Sequence, residues 1–224
     1  MSSVRVRRDS AVRLLALGGI AAPIIFAILV TVGGFIYQGY NHATQAISEL
    51  GGVEARYPLI QNANFFMVGV LIMAFAFGLH RGMGHGNGPV VGFLLLGAFG
   101  VLTVAQTLLP CDSGCEFESP IGALHNMAGL SGFLTAIAGI LVTSRRLRRD
   151  PNRRSYAGYS AVTAIAALVG LFAWIGISKA AGVQTLNGVL QRIVVGLLLL
   201  WVEVMALRLF WLSRLAPMPQ LSDS

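Results

Sequence analysis

The sequence predicts an all-α polytopic transmembrane protein, a six-helix bundle with both termini inside. Three observations predict it: six apolar stretches of bilayer-crossing length, a scarcity of charge, and a one-sided placement of the charge there is. A span needs roughly 20 mostly apolar residues to cross a hydrocarbon core about 30 Å thick. Of the 224 residues, 55% are hydrophobic and only 11% are charged, against roughly 25% in a soluble domain. The basic residues then sort by link. Thirteen lie before the first span, in the second and fourth links or after the sixth span, whereas the alternate links hold only Arg56 and Lys179. Glu49, Glu54, Asp112, Glu116 and Glu118 occupy that Arg-poor side. Basic residues flanking spans stay in the cytoplasm, so the Arg-poor links face outward. The basic excess is thereby explained by topology and anionic headgroups, and no nucleic-acid partner is expected.

Residues 1–13 form a basic cytoplasmic start carrying Arg5, Arg7, Arg8 and Arg13. The first span is expected at Leu14–Tyr37. Its apolar run exceeds the roughly 7–15 residues of a signal-peptide core and no convincing cleavage site follows, so it reads as a retained helix. The first outer link, Gln38–Ile60, is the longest and includes Tyr40, His42 and Glu49. Ala46–Leu50 is expected to form a short interfacial helix stopped by Gly51-Gly52. The second span, Ala63–Leu79, is near the lower length limit at about 17 residues, and Gln61, Asn62 and Asn64 open it. The Gly-rich turn His80–Pro89 holds His80 and His85, which read as solvated loop histidines; a phosphate-binding loop would need a preceding strand and a Lys-Ser/Thr ending.

The third span, Val90–Leu109, carries Gly92, Gly97 and Gly100, with Gln106 near its outer end. The second outer link runs Pro110–Pro120. The fourth span, Leu124–Val142, places His125, Gly129, Gly132, Ala136 and Gly139 on one stripe, a packing seam. Arg145–Arg154 reads as an interfacial charge anchor. The fifth span, Ala161–Ile177, is again short. The sixth, Val189–Leu207, contains Arg192 and Glu203. The transmembrane domain is thus expected over 14–212, followed by a short cytoplasmic tail, 213–224, with Pro217, Pro219 and Ser222–Ser224 disordered.

The candidate chemistry gathers on the outer side. Cys111 and Cys115, in C-x3-C, face an oxidising compartment where disulfides persist. A disulfide is the leading reading; free thiols, or a metal pair completed by His125, Asp112 or His42, are the rivals. Ionisable residues within spans are functional candidates by default. Arg192 lies about one turn inside the last span, where an outer carboxylate (Glu49, Asp112 or Glu116) would pair with it, unless it snorkels to headgroups. Glu203 returns to nearly the same helix face about 16 Å further along. His42, Glu49, Asn62, Asn64, Asp112, His125 and Arg192 are the candidate ligand-binding residues, sharing one outer pocket.

Several of these residues carry a resemblance. Ser48-Glu-Leu-Gly51, Asn64 and Gly69, the Cys111-Asp-x-x-Cys115 loop, His125 and Gly188-x-x-Gln-Arg192 occur in an order relative to six spans that resembles the family called domain of unknown function 998 (DUF998), over roughly residues 14–212. The resemblance implies a bacterial or archaeal six-helix membrane protein and no established activity. It also implies Glu where this chain has Gln191.

The expected protein is therefore a multi-pass component of a bacterial or archaeal cytoplasmic membrane. Its partners are membrane lipids and a small-molecule or lipid-headgroup ligand bound in an outward-facing polar pocket, with no cofactor or resident metal assigned. In that pocket Arg192 supplies charge, His125 a titratable group, and Asn62 and Asn64 orienting amides. The alternatives are an intramembrane lipid hydrolase with His125 as base and a proton-coupled transporter using Glu203 and Arg192.

Overall fold

The structure, a computed structural model, describes residues 10–83, 87–149, 154–179 and 186–215. Six helices account for most of them: α1 (Ser10–Ile36), α2 (Pro58–Gly82), α3 (Asn87–Ala105), α4 (Pro120–Leu147), α5 (Arg154–Lys179) and α6 (Asn187–Leu215). All six are long and apolar enough to cross a membrane, and no strand occurs among the described residues. The chain is a multi-pass membrane protein. Arg5, Arg7, Arg8, His85, Arg153 and the expected tail at Pro217, Pro219 and Ser222–Ser224 lie outside the described residues.

The two spans expected to be short are helices of 25 and 26 residues. Hydropathy marks only the part of a helix that hydrocarbon solvates, and both helices continue past it. Pro58 opens α2, where its missing N–H costs nothing, and His80 and Arg81 close it beside the negative end of the helix dipole. Helix α3 instead ends at Ala105 and tightens into a 3-10 turn, Gln106–Leu108. Pro110 follows, and the residue before a proline is pushed out of helical geometry; Leu109 accordingly has φ −123° and ψ 80°.

Each helix packs on its chain neighbours, α1 closes on α6, and α2 touches α6 across the middle of the resulting ring. Lipid tails are as apolar as the side chains, so close backbone approach must supply the attraction between helices. At the α2–α3 crossing it does. A Cβ on Gly69 would lie 2.6 Å from the Gly100 carbonyl oxygen, and one on Gly100 would lie 2.7 Å from that of Gly69. The expected α4 stripe is a seam over its lower part: a Cβ on Gly139 would sit 3.0 Å from Leu96, and one on Gly132 3.6 Å from Phe99. Polar glue adds to this. Trp201, edge-on to Phe75 with ring centroids 6.3 Å apart, donates its indole N–H to Ser160 Oγ at 2.9 Å, and Ser144 Oγ donates to the Ala157 carbonyl at 2.8 Å.

The outside of the ring is apolar, with Phe35 81% and Val162 67% exposed. At the Arg-rich end, Arg208 stacks over Tyr156 and Arg13 over Phe210, and Arg146 donates to the Met83 carbonyl at 2.8 Å. At the cysteine-bearing end, the expected interfacial helix is a 3-10 helix, Ile47–Gly51. Its glycines serve space rather than left-handed backbone. Gly52 is extended, but a Cβ on Gly52 would meet Cys111 Sγ at 2.9 Å and one on Gly51 would meet Asn62 Oδ1 at 2.9 Å.

Gly69→Leu should force α2 and α3 apart and destabilise the protein by about 1–3 kcal/mol. Gly176→Ala, where a Cβ meets nothing within 4 Å, should stay within about 0.5 kcal/mol of wild type. Thermal unfolding in detergent compares them, and equal melting temperatures would contradict the close crossing.

Candidate functional site

The start of α6 organises the cysteine-bearing end. A Cβ on Gly188 would collide with the carbonyls of His42 and Gln45, so the first link lies directly on the α6 backbone, where Val189 N–H donates to the Ala43 carbonyl at 3.0 Å. One turn later Arg192 takes hold of that link. Its Nη1 donates to the carbonyls of Gln45 at 3.1 Å and Gly188 at 2.9 Å. Its Nη2 donates to Tyr40 Oη at 2.8 Å and contacts His42 Nδ1 at 3.0 Å. A guanidinium has only donors, so His42 Nδ1 accepts and the ring is neutral, with its proton on Nε2. Burial, and then the Arg192 charge, hold the His42 pKa below the ordinary histidine value. Burial raises the Tyr40 pKa against the lowering effect of Arg192, and Tyr40 Oη donates to the Ala46 carbonyl at 2.9 Å.

The carboxylate partner expected for Arg192 is not there. Glu49 instead accepts from Ala46 N–H at 2.6 Å and Gln45 Nε2 at 2.9 Å, capping its own 3-10 helix. Asp112 likewise serves its own link. It accepts from Ser119 N–H at 2.7 Å, Ser119 Oγ at 2.7 Å and Glu118 N–H at 3.0 Å, and Ser119 Oγ caps α4 by accepting from Gly122 N–H at 3.0 Å. The Ser119 hydroxyl, then its backbone N–H, hold the Asp112 pKa below the usual carboxylate value.

The expected disulfide joins Cys111 and Cys115, with Cα atoms 4.9 Å apart. Between them the chain turns through left-handed backbone at Gly114 (φ 59°) and Cys115 (φ 55°). Asn126 Nδ2 donates to the Cys115 carbonyl at 3.1 Å, and Val53 N–H donates to the Cys111 carbonyl at 3.0 Å, joining the two links. A ring nitrogen of His125 lies within 4.8 Å of both sulfurs. Of the three residues weighed as a third ligand beside the cysteines, His125 is the one in reach. Sulfurs bonded to each other, however, offer a metal no thiolate. His125 Nδ1 meets the Leu109 carbonyl at 2.6 Å; that oxygen only accepts, so Nδ1 carries a proton.

Asn62 sits against Gly51, whereas Asn64 faces the bundle, donating to the Phe26 carbonyl at 3.4 Å and Gln61 Oε1 at 3.3 Å. Both Asn64 and Gln61 are fully buried, and Asn64 Oδ1 and Gln61 Nε2 have no hydrogen-bond partner.

Inside the ring is a cavity of about 420 Å³ lined by all six helices, through Phe26, Phe65, Phe99, Phe133, Trp174 and Val195 among others. Its wall is apolar in depth. Towards the cysteine-bearing end it becomes polar, with Gln106, His125, Asn126, Asn187 and Gln191, and there Ala46–Ser48 and Gly114–Phe117 line it. Of the seven candidate ligand-binding residues His125 alone lines this cavity, beside Cys115 of the disulfide and Gln106. Arg192 and His42 line a second hollow, of about 480 Å³, between α1 and α6 on the outside of the ring, with Glu203 further along it. Glu49, Asp112, Asn62 and Asn64 line neither. The candidates therefore share one end of the bundle but do not converge on one pocket.

A family model described as protein of unknown function (DUF998) matches residues 20–208 of the chain. The chain belongs to this family. No curated protein and no solved structure matches it. Gln191, where the resemblance implies Glu, accepts from Ile47 N–H at 2.5 Å; an acceptor is all this DUF998 chain needs there. The cavity residues that sequence reasoning missed are chiefly Trp174 and Asn187, whose side chains bond to each other at 2.6 Å across α5 and α6. An aromatic residue near a span end reads as a membrane-interface anchor, and no spacing marks it as cavity lining.

Because His42 is held neutral, its contribution to stability is complete above the ordinary histidine pKa of about 6.5 and is lost as pH falls below it. Wild-type melting temperature should therefore drop between pH 7.5 and 5.5 more than that of His42→Gln, which keeps an acceptor and cannot titrate. Parallel profiles would contradict the neutral His42–Arg192 contact. The Asp112 contribution fails only at far lower pH, below about 3.8.

Proposed function

We propose that this protein binds a small amphiphile, a lipid or a molecule with a lipid-like headgroup, at the outward end of a bacterial or archaeal cytoplasmic membrane protein whose termini are inside. One observation carries the reading: a single cavity, built by all six helices, is aromatic and aliphatic in depth and amide-rich at one end. Ligand sites are concave, mostly apolar and supplied with a few orienting polar groups. The tail of an amphiphile lies among Phe65, Phe99, Phe133 and Leu199, and its polar head reaches Gln106, Asn126, Asn187 and Gln191. His125 adds the second nitrogen of a ring whose first is held by the Leu109 carbonyl. Arg192 takes part by holding the first link over the cavity, and its charge acts from the neighbouring hollow. The alternatives, lipid hydrolysis through His125 and proton-coupled transport through Glu203 and Arg192, have no comparable observation behind them.

Gly129 lines the cavity, and its nearest neighbour to an added Cβ is Gln106 Nε2 at 3.5 Å, so a leucine side chain there occupies the cavity. Titration of the purified full-length protein with cis-parinaric acid, read by energy transfer from tryptophan, should saturate. Gly129→Leu should weaken that binding tenfold or more while the protein stays folded. Unchanged affinity would contradict the assignment.

A further inference from the structure

We propose that the hollow between α1 and α6 is a second lipid site and the side entrance to the cavity. An anionic lipid of the surrounding bilayer seats its phosphate or carboxylate beside Arg192 and passes a hydrocarbon chain between the two helices into the ring. This rests on the binding reading above and adds the headgroup class and the route.

The two hollows share a wall. Phe26, Ile47, Val195 and Leu199 line both, so the partition is a single layer of apolar side chains. Opening it exchanges contacts between side chains for contacts with lipid tails, which are equally apolar. Helix α1 also lacks one backbone hydrogen bond beside this partition. Pro23 lines the hollow and lies inside the helix; with no N–H, it leaves the carbonyl of Gly19 without its helical donor, which is where helices bend.

At the end of the cavity, by contrast, the two links among the described residues are fastened. The first is held by Arg192, Gln191 and the Glu49 cap. The second is held by the disulfide, by Asp112 and by Asn126. Entry past either of these links breaks hydrogen bonds, whereas entry from the side breaks none of these.

The charge pattern orients the occupant. Every hydrogen-bond partner of Arg192 is neutral. Glu49, bonded to Gln45 and Ala46 in the same cluster, caps its own helix instead of pairing with the guanidinium, which therefore stands at the headgroup end of the hollow without a bonded carboxylate. Glu203 stands at the other end, eleven residues and about 16 Å along α6. An anionic headgroup is attracted to the first and excluded from the second.

The test is stopped-flow binding of cis-parinaric acid to the full-length protein in phosphatidylcholine nanodiscs. Phe26→Ala should raise the association and dissociation rates together, fivefold or more, and Val195→Phe should lower both at least as much. Phe172→Ala, exposed on α5 and lining neither hollow, should change neither by more than twofold. The methyl ester of the probe should associate at least threefold more slowly than the acid with wild type. Saturable binding whose rates ignore Phe26 and Val195 overturns the side entrance and leaves the cavity reading standing. Equal rates for acid and ester overturn the role of Arg192 at the entrance. Absence of saturable binding to wild type removes the cavity reading and the entrance with it.

Discussion

A single guanidinium near the start of α6 fastens the first link to the helix bundle, and the cysteine-bearing end takes its shape from that attachment. Four of the five N–H groups of Arg192 are spent on Gln45, Gly188, Tyr40 and His42. Tyr40 extends the attachment to Ala46, and Gln191 holds the next residue, Ile47. These bonds bring Ala46–Ser48 over the cavity. Gly188 makes the contact possible, because any side chain there would stand where the link carbonyls lie.

Neutral partners suit this position. An ion pair at a membrane boundary loses much of its attraction to the cost of stripping water from both charges. Backbone carbonyls and a phenol satisfy the donors of Arg192 at lower cost and leave its positive charge in place. The acidic residues are thereby released for local work: Glu49 caps its 3-10 helix, and Asp112 braces the turn into α4 through Ser119. Two links of opposite character result, one tied down by a cation and the other by a carboxylate and a disulfide.

The bundle itself was legible in the sequence, because bilayer solvent imposes long apolar runs and a one-sided distribution of arginine. The disulfide was legible from two cysteines four residues apart, and the α4 stripe from its glycine spacing. The grouping of polar residues was not. His42 and His125 sit at the same end, yet one reaches the lipid-facing hollow and the other the central cavity. That separation depends on helix rotation and on the path of the first link, which are set by contacts such as Gly69 with Gly100 and Gly188 with Gln45 rather than by local pattern. Trp174 shows the same limit. Its position near a helix end is ordinary for a membrane protein, and only the packing of α5 on α6 turns it inward to Asn187. The partner of Arg192 escaped for a related reason: charge pairing suggests a carboxylate, whereas the nearest acceptors are backbone carbonyls that no sequence pattern marks.

Hydrogen exchange over residues 40–50 tests the central claim most directly, by comparing wild type with Arg192→Leu. The account predicts that the amides of Ala46, Ile47 and Glu49, all hydrogen-bonded here, exchange at least tenfold faster in the variant, a loss of about 1.4 kcal/mol of local stability, while the middle of α2 keeps its protection. Equal protection of the link in both proteins would contradict it.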